Sequence, residues 1–515
     1  MDSAELRASY EAVPYGSRPI LDSHPARVAA VAALHGLIPP PVARCRVLEL
    51  GCAAGGNLIP MALGLPDSAF TGVDFAPTAI ARGRRAIHDL GLSNISLEAM
   101  SIAGVDDAFG TFDYIVCHGV YSWVSPDIQS AILRICARNL APNGIAFVSY
   151  NTYPGWYLRS IARDAIQFHD DPALSPDVRA ANGRALIEGL AAAAALQDPI
   201  YANVLVQELG LLRAEETAHL LHEQLEATNE PLWFSEFMRR AQAAGLRYVA
   251  EAQCSNFGSL LAPDTRSAFR ALSADVIRFE QLLDIARKRT FRQTLLCHRS
   301  LPAAEEPDPR RLLGLHLAGR IESVLGRSDD GNHGFRSAEG VQVTTNDRVA
   351  IAGLSCLHDA QPATLPFGEL WQRVRARLGD ERRPGDAPPP EDPVALATPL
   401  LECLLGRVVE ALALPRSAVA EPGDRPRTTA LARLQAATTD PVTNLAHVAV
   451  EMDPVDRFVL ARLDGTRDRS ALRIELGEAL GSQAIECPPG LVAPEAGDVL
   501  DASLRRLGRA ALLEA

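Results

Sequence analysis

The segment Val47-Leu48-Glu49-Leu50-Gly51-Cys52-Ala53-Ala54-Gly55-Gly56-Asn57 restricts what this chain can fold into more than any other. An apolar run ends in a carboxylate, a turn of small residues follows, and Leu58 to Leu63 read as the start of a helix. That order is how the first strand of a doubly wound sheet hands over to a cofactor-binding loop. A dinucleotide fingerprint reads G-x-G-x-x-G and bares backbone amides to a pyrophosphate at a helix N-terminus. Here the spacing is E-x-G-x-A-x-G, with the carboxylate at the strand tip. Glu49 would repel a pyrophosphate and suits a cationic amino group, so the loop points to S-adenosylmethionine rather than NAD.

Phe70-Thr71-Gly72-Val73-Asp74-Phe75 reads as a second strand ending in an acid. An acid there can accept two hydrogen bonds from a ribose diol. Taken singly, Glu49 reads equally as a solvated strand-end carboxylate and Asp74 as a helix cap; in register the two favour a cofactor site. Ala53 stands where a glycine would ease a positive φ, and any such backbone would be strained there.

Strands and helices continue to alternate, which demands a parallel sheet. Val28 to Leu37 and Pro77 to Leu90 read as helices, and Ile95 to Met100 as a third strand. Phe112 to Cys117 is a fourth, apolar enough to be buried on both faces. Pro126 to Leu140 reads as a helix, Pro142-Asn143-Gly144 as a turn and Ile145 to Tyr150 as a fifth strand. A closing antiparallel hairpin is expected from Gly245 to Glu251 and Arg292 to Cys297, preceded by a helix over Phe234 to Ala244. Two helical insertions, about Leu158 to Thr228 and Pro263 to Arg289, interrupt this scheme. Lying over the carboxyl edge of the sheet, they are candidate substrate lids or plain packing.

The expected architecture is α/β: a doubly wound Rossmann-like sheet with helical insertions and a mostly helical, winged-helix-like C-terminal module. The expected boundaries are a cofactor-binding core over 1–157 and insertions with the closing hairpin over 158–300. A mixed α/β connector follows over 301–382 and the C-terminal module over 394–515. In that module Pro399 to Leu414 reads as the first helix, past a proline-rich hinge.

Composition narrows the partners. Asp and Glu total 63 against 50 for Lys and Arg, a formal net charge of −13, which disfavours a sequence-independent grip on nucleic acid. Lys288 is the only lysine. The nine cysteines form no C-x-x-C pair, so neither a zinc site nor a disulfide framework is expected. No apolar run is long enough to span a bilayer, and a reducing cytoplasm is the expected compartment.

Two aromatic-rich turns mark the chemical end of the fold. They are Cys117-His118-Gly119-Val120-Tyr121-Ser122-Trp123 and Tyr150-Asn151-Thr152-Tyr153-Pro154-Gly155-Trp156. Methyl transfer needs a neutral nucleophile about 3 Å from the methyl carbon and in line with the C–S bond. Aromatic faces stabilise an ammonium or sulfonium by roughly 0.5–2 kcal/mol each. Tyr121, Trp123, Tyr153 and Trp156 are therefore candidate walls, with Asn151 orienting an N–H. His118 lends either its backbone carbonyl to the cofactor or its ring as a base. The plain alternative is that the tryptophans are core residues. At the N-terminus, Tyr10 to Pro19 is a stiff arm that either caps the cofactor, with Tyr15 at its centre, or packs as an ordered tail.

Several of these phrases together resemble one bacterial group. They are Tyr10 to Tyr15 with His24-Pro25, Leu48 to Cys52 with Gly56 to Pro60, Cys117 to Val124, and Tyr150 through Trp156. The group carries a class I S-adenosylmethionine-dependent methyltransferase domain followed by a methyltransferase regulatory domain. It includes lysine methyltransferases of bacterial outer-membrane proteins. Phe234 to Ala252 and Thr290 to His298 are similar to its regulatory domain. Arg433 to Ala437 and Thr443 to Leu472 are similar to its winged-helix module. The resemblance implies cofactor contacts at Glu49, Gly51, Ala53, Gly55, Asn57, Asp74 and Phe75, with Ser101 and Ile102 beside the adenine and His118 and Tyr15 nearby. The family does not fix the substrate; a protein lysine as acceptor is the expectation carried over from those relatives, and no metal is expected. The alternatives are a small-molecule methyltransferase and a catalytically silent cofactor-binding regulator. The C-terminal module reads as protein-contacting or dimerising, so a homodimer is among the expected assemblies.

Overall fold

A computed structural model describes residues 16–253, 261–327, 332–382, 388–438, 441–485 and 496–514. Strand β1 (Arg46–Leu50) is buried from Val47 onward and pairs in parallel with both β2 (Ala69–Asp74) and β4 (Phe112–Cys117). With β3 (Ile95–Ala99), β5 (Leu140–Asn151), β6 (Leu246–Glu251) and β7 (Phe291–His298) it builds a seven-stranded sheet in the order β3-β2-β1-β4-β5-β7-β6. Strand β7 runs antiparallel to both β5 and β6. The order reverses direction between β1 and β4, and a ligand crevice belongs outside the carboxyl ends of those strands.

The two-residue period of a strand sorts its side chains between two faces. Val47, Phe70, Tyr114 and Phe147 face α1 (Pro25–Leu34) and α2 (Leu58–Gly64) in one cluster. Leu48, Leu50, Ile115 and Val148 pack on the other face in a second cluster. That face is covered by α3 (Pro126–Arg138) and α4 (Phe234–Ala243). Glu49 therefore shares the face of Val47 and lies beneath α2.

One expected turn is not a turn. Pro142-Asn143-Gly144 lies within β5, and the β4–β5 register jumps from Phe112↔Leu140 to Tyr114↔Ile145. A bulge absorbs the extra residues, which lets a proline sit where no ladder N–H is required.

The long insertion holds four helices, α5 (Gly155–His169), α6 (Pro176–Ala194), α7 (Pro199–Ala214) and α8 (Thr217–Leu225), with a core of their own around Ile166, Ile187, Leu205 and Leu220. The shorter one holds α9 (Pro263–Ala271) and α10 (Val276–Ala286). Where it returns to β7, Arg292 is fully buried and pairs with Glu251 (2.7 Å), Asp284 (2.8 Å) and Glu280 (3.0 Å). A buried guanidinium is tolerated only with such partners.

The connector contains β8 (His316–Gly319), the meander β9 (Ile321–Arg327), β10 (His333–Ser337) and β11 (Gln342–Thr345), and the helices α11 (Arg348–Ala360) and α12 (Phe367–Asp380). The expected helix Pro399 to Leu414 is instead α13 (Val394–Leu405), with Pro399 inside it, followed by the strand Val409–Leu412. That strand pairs antiparallel with β8, and Leu396, Leu400 and Leu404 pack in the connector's core. Packing thus joins 394–412 to the connector rather than to the C-terminal module, because the apolar faces of helix and strand find their partners there. The remaining module has α14 (Ala430–Ala436), a short hairpin of Val442–Thr443 and Ala449–Val450, α15 (Pro454–Leu460), α16 (Arg469–Gly481) and α17 (Ala496–Arg509). These enclose their own core around Val455, Leu476 and Leu504. Among the described residues, no helix is long and apolar enough to cross a membrane.

Candidate active site

The loop after β1 takes the shape its small residues permit. Gly51 and Gly55 have φ of +81° and +75°. A Cβ on Gly51 would sit 2.4 Å from the Val120 side chain, which joins this loop to the turn after β4. Ala53 also enters the left-handed region, at φ +48°. Its amide donates to Asp74 Oδ2 (2.8 Å), which holds the strained turn in place. Asp74 also accepts from the Ala76 amide (2.9 Å), so it braces the second loop as well as the first. Burial raises its pKa against the pull of these amides.

Glu49 is 4% exposed. Asn57 Nδ2 donates to its Oε1 (2.8 Å), while its Oε2 is buried with no hydrogen-bond partner among the described residues. Burial pushes its pKa up to about 7 in spite of the Asn57 bond. A cationic ligand group beside Oε2 would satisfy both the orphan acceptor and the buried charge, so these residues fit the amino group of S-adenosylmethionine.

Ser17 and Arg18, in the described part of the N-terminal arm, lie against the loop and its surroundings. The Gly56 amide donates to Ser17 Oγ (2.7 Å), and a Cβ on Gly56 would meet the Ser17 carbonyl oxygen at 2.3 Å. Arg18 forms an ion pair with Glu216, which ties the arm to the start of α8. Tyr15 lies outside the described residues. Ser101 caps a short helical turn by accepting from the Ala103 amide (3.3 Å), and Ile102 behind it is buried.

The two aromatic turns do not form one wall. Tyr121 is fully buried in the core, edge-on to Phe237 with ring centroids 5.3 Å apart and beside Tyr150 at 6.1 Å. Burial pushes its phenol up to about 12. The turn after β4 directs it into the cluster that α4 covers, with Tyr150 and Phe237, whereas Trp156, equally buried at 1% exposed, lies outside that cluster. Trp123 and Trp156 meet edge to face at 6.3 Å. Arg159 and Arg163 of α5 lie over their faces, at 5.0 Å from Trp156 and 5.8 Å from Trp123. The Trp156 indole N–H is buried without a partner among the described residues. Tyr153 stacks on Tyr157 at 4.2 Å, and Trp233 leans on both at 5.8 and 6.1 Å.

Asn151 is buried, and its Nδ2 donates to Asn229 Oδ1 (2.9 Å), leaving Oδ1 as the acceptor it can offer a ligand. His118 packs against Phe147 and Phe291, and burial lowers its pKa to about 4. A neutral, weakly basic ring results.

Sequence reasoning missed Trp233, Asn229 and Arg159. Trp233 follows Asn229-Glu230-Pro231-Leu232 and is the N-cap of α4; a tryptophan two residues past a proline was the one available signal. The pairing of Leu232 with Thr152, by which it reaches the site, is tertiary.

Comparison with known proteins agrees with this geometry. A "Methyltransferase domain" family matches residues 48–146, a "Predicted methyltransferase regulatory domain" matches 216–298, and a "PKMT, C-terminal winged helix domain" matches 424–512. An uncharacterised protein of Rickettsia prowazekii (strain Madrid E) is 31% identical over 481 residues, covering 90% of this chain and 84% of its own. A second from the same organism is 36% identical over 236 residues, 46% of this chain and 94% of its own. The solved structure of PKMT2 from Rickettsia typhi superposes with a TM-score of 0.84 at 26% identity, covering 97% of this chain and all of that one. PKMT2 has also been solved in complex with AdoHcy, matching at 25% identity with the same TM-score. The sheet order and the loop after β1 define a class I methyltransferase, and the chain belongs to the S-adenosylmethionine-dependent methyltransferases of the PKMT type.

Proposed function

We propose that this enzyme N-methylates lysine side chains of a protein substrate by in-line transfer. The observation that carries the reading is the pair of aromatic clusters at the carboxyl ends of β4 and β5, Trp123 with Trp156 and Tyr153 with Tyr157 and Trp233. Bound S-adenosylmethionine supplies an electrophilic methyl group on a sulfonium. In this reading Glu49 meets its amino group, Asp74 its ribose, and the backbone of Gly51, Ala53, Gly55 and Asn57 frames the amino-acid end. Phe75, Ser101 and Ile102 flank the adenine. The AdoHcy complex of PKMT2 supports the choice of cofactor.

A lysine amine must lose a proton before it can attack, from a group whose free pKa is about 10.4. Burial against aromatic faces disfavours the charged form. The chain's own task is then to desolvate and aim the amine, with Asn151 Oδ1 accepting one N–H. His118, lowered to about 4, is a poor base at neutral pH, which favours a positioning role at the cofactor. The name PKMT on both a matched domain and the superposable structure supports lysine over a small molecule.

The test is to incubate the protein with methyl-labelled S-adenosylmethionine and cell extract, then separate macromolecular from small products. Label on protein, recovered as methyl-lysine after hydrolysis, is the expected result. Label confined to small molecules would transfer the reading to a metabolite acceptor. Cofactor binding without transfer to either would favour a silent regulator.

A further inference from the structure

The hairpin of the C-terminal module reaches the cofactor loop from 390 residues downstream: His447 Nε2 lies 2.8 Å from Asn57 Oδ1. The tip that carries it is built to do so. Asn444 Oδ1 accepts from the amides of Ala446 (3.0 Å) and Val448 (2.9 Å), and its Nδ2 donates to the Ala510 carbonyl (2.8 Å). The Leu445 amide donates to the Ala511 carbonyl (2.9 Å). His447 itself is held at φ +60°, a conformation that a histidine keeps only when its surroundings over-determine it.

The hydrogen-bond directions follow from the neighbours. The Ile20 backbone N–H donates to the same Asn57 oxygen (2.9 Å), so that atom is an acceptor and His447 must present Nε2–H to it. Asn57 Nδ2 is thereby turned toward Glu49 Oε1 and Ser23 Oγ. The His24 ring packs edge-on against His447 at 5.2 Å, with its Nδ1 accepting from the Ala26 amide. Burial and the nearby Arg27 keep both rings neutral, so a dipole rather than a second cation stands behind the ammonium site.

We propose that His447 is a positioning residue for the cofactor site: by donating to Asn57 it fixes the amide that orients Glu49. The C-terminal module thus completes the loop that holds the amino-acid end of S-adenosylmethionine. The inference rests on the cofactor residues named above and not on the identity of the methyl acceptor. Coupling is reciprocal, so bound cofactor in turn secures the hairpin tip.

The test uses the full chain and titrates S-adenosylmethionine and S-adenosylhomocysteine by calorimetry. His447→Phe keeps the ring and volume but lacks the donor; His447→Gln keeps a donor at similar reach. His447→Ala replaces the phenylalanine variant if that does not fold. Losing the donor is expected to raise Kd roughly tenfold, with His447→Gln restoring it to within about threefold. KM for the cofactor should rise more than kcat falls. Adding S-adenosylhomocysteine should slow hydrogen exchange over Asn444 to Val448 in the wild type and much less in the donor-less variant. Unchanged Kd in a folded donor-less variant would overturn the proposal while leaving the cofactor site standing. So would a loss that the glutamine variant shares and that follows a fall in Tm. Absence of cofactor binding to the wild type would overturn the site reading and this inference with it.

Discussion

Glu49 is the single residue whose ionisation state matters most. Burial raises its pKa to about 7 from an ordinary 4.5. Folding therefore favours the protonated form: the stability this group contributes is fully present below about pH 4.5 and is lost as pH rises through 7. Cofactor affinity should run the opposite way, because an ammonium group and a proton compete for the same carboxylate. Calorimetric Kd for S-adenosylmethionine is expected to be flat above about pH 7.5 and to weaken toward tenfold per unit below 7. Glu49→Gln should bind at least about tenfold more weakly, abolish that pH dependence, and melt higher than the wild type at about pH 8, where the wild-type charge is buried. Equal affinity of mutant and wild type at that pH would remove Glu49 from the site. Ala53 teaches a different lesson. The sequence predicts strain for any positive φ at this alanine, and the structure takes it to φ +48° with the Asp74 carboxylate holding its amide. Since an L-residue pays about 1–2 kcal/mol there, Ala53→Gly should raise the unfolding free energy measured by denaturant titration by about 0.5–1 kcal/mol after the glycine's unfolded-state entropy is subtracted.

At the scale of elements, strands and helices with strong period or dense apolar runs were legible to within a few residues. Phe112 to Cys117 is strand β4 to the residue, and Phe234 to Ala243 is a helix one residue shorter than expected. The misses have a common cause. Pro142-Asn143-Gly144 carries turn chemistry, yet its pairing with β4 turned it into a bulge. Val409–Leu412 continued a helical pattern in sequence and became a strand because β8 offered an open edge. Tyr121 has the composition of a pocket wall, but the path of the chain after β4 drove it into the core. The arm is the element whose function is most open to test. Gly56→Ala would place a methyl group 2.3 Å from the Ser17 carbonyl oxygen and must displace either arm or loop. We expect Kd for the cofactor to rise about tenfold or more with little change in Tm. A variant that binds normally would show that the arm does not shape the site.

At the scale of the whole molecule, Glu410 ties core to connector. It is buried and meets Arg416 (2.6 Å), Arg320 (3.3 Å) and Arg27 of α1 (3.4 Å). Although burial opposes ionisation, these guanidinium groups hold its pKa down to about 2. Its contribution is therefore present above about pH 4.5 and lost as pH falls toward 2. Glu410→Gln should destabilise the protein by roughly 3–5 kcal/mol at neutral pH, read by denaturant unfolding, because buried arginines lose their counter-charge. A loss under about 1 kcal/mol would mean that solvent already screens them. By itself the sequence determined the parallel sheet, the loop after β1, the acids Glu49 and Asp74 and hence the class of cofactor, because these are local: each depends on residues a few positions apart. Only the tertiary structure decided which aromatic residues pack in the core and which cluster at the strand ends, that Asn229 and Trp233 come to the end of β5, and that His447 reaches Asn57. Those contacts join segments from about 80 to 390 residues apart, where the meeting is set by how whole faces pack and leaves no pattern in the neighbouring sequence.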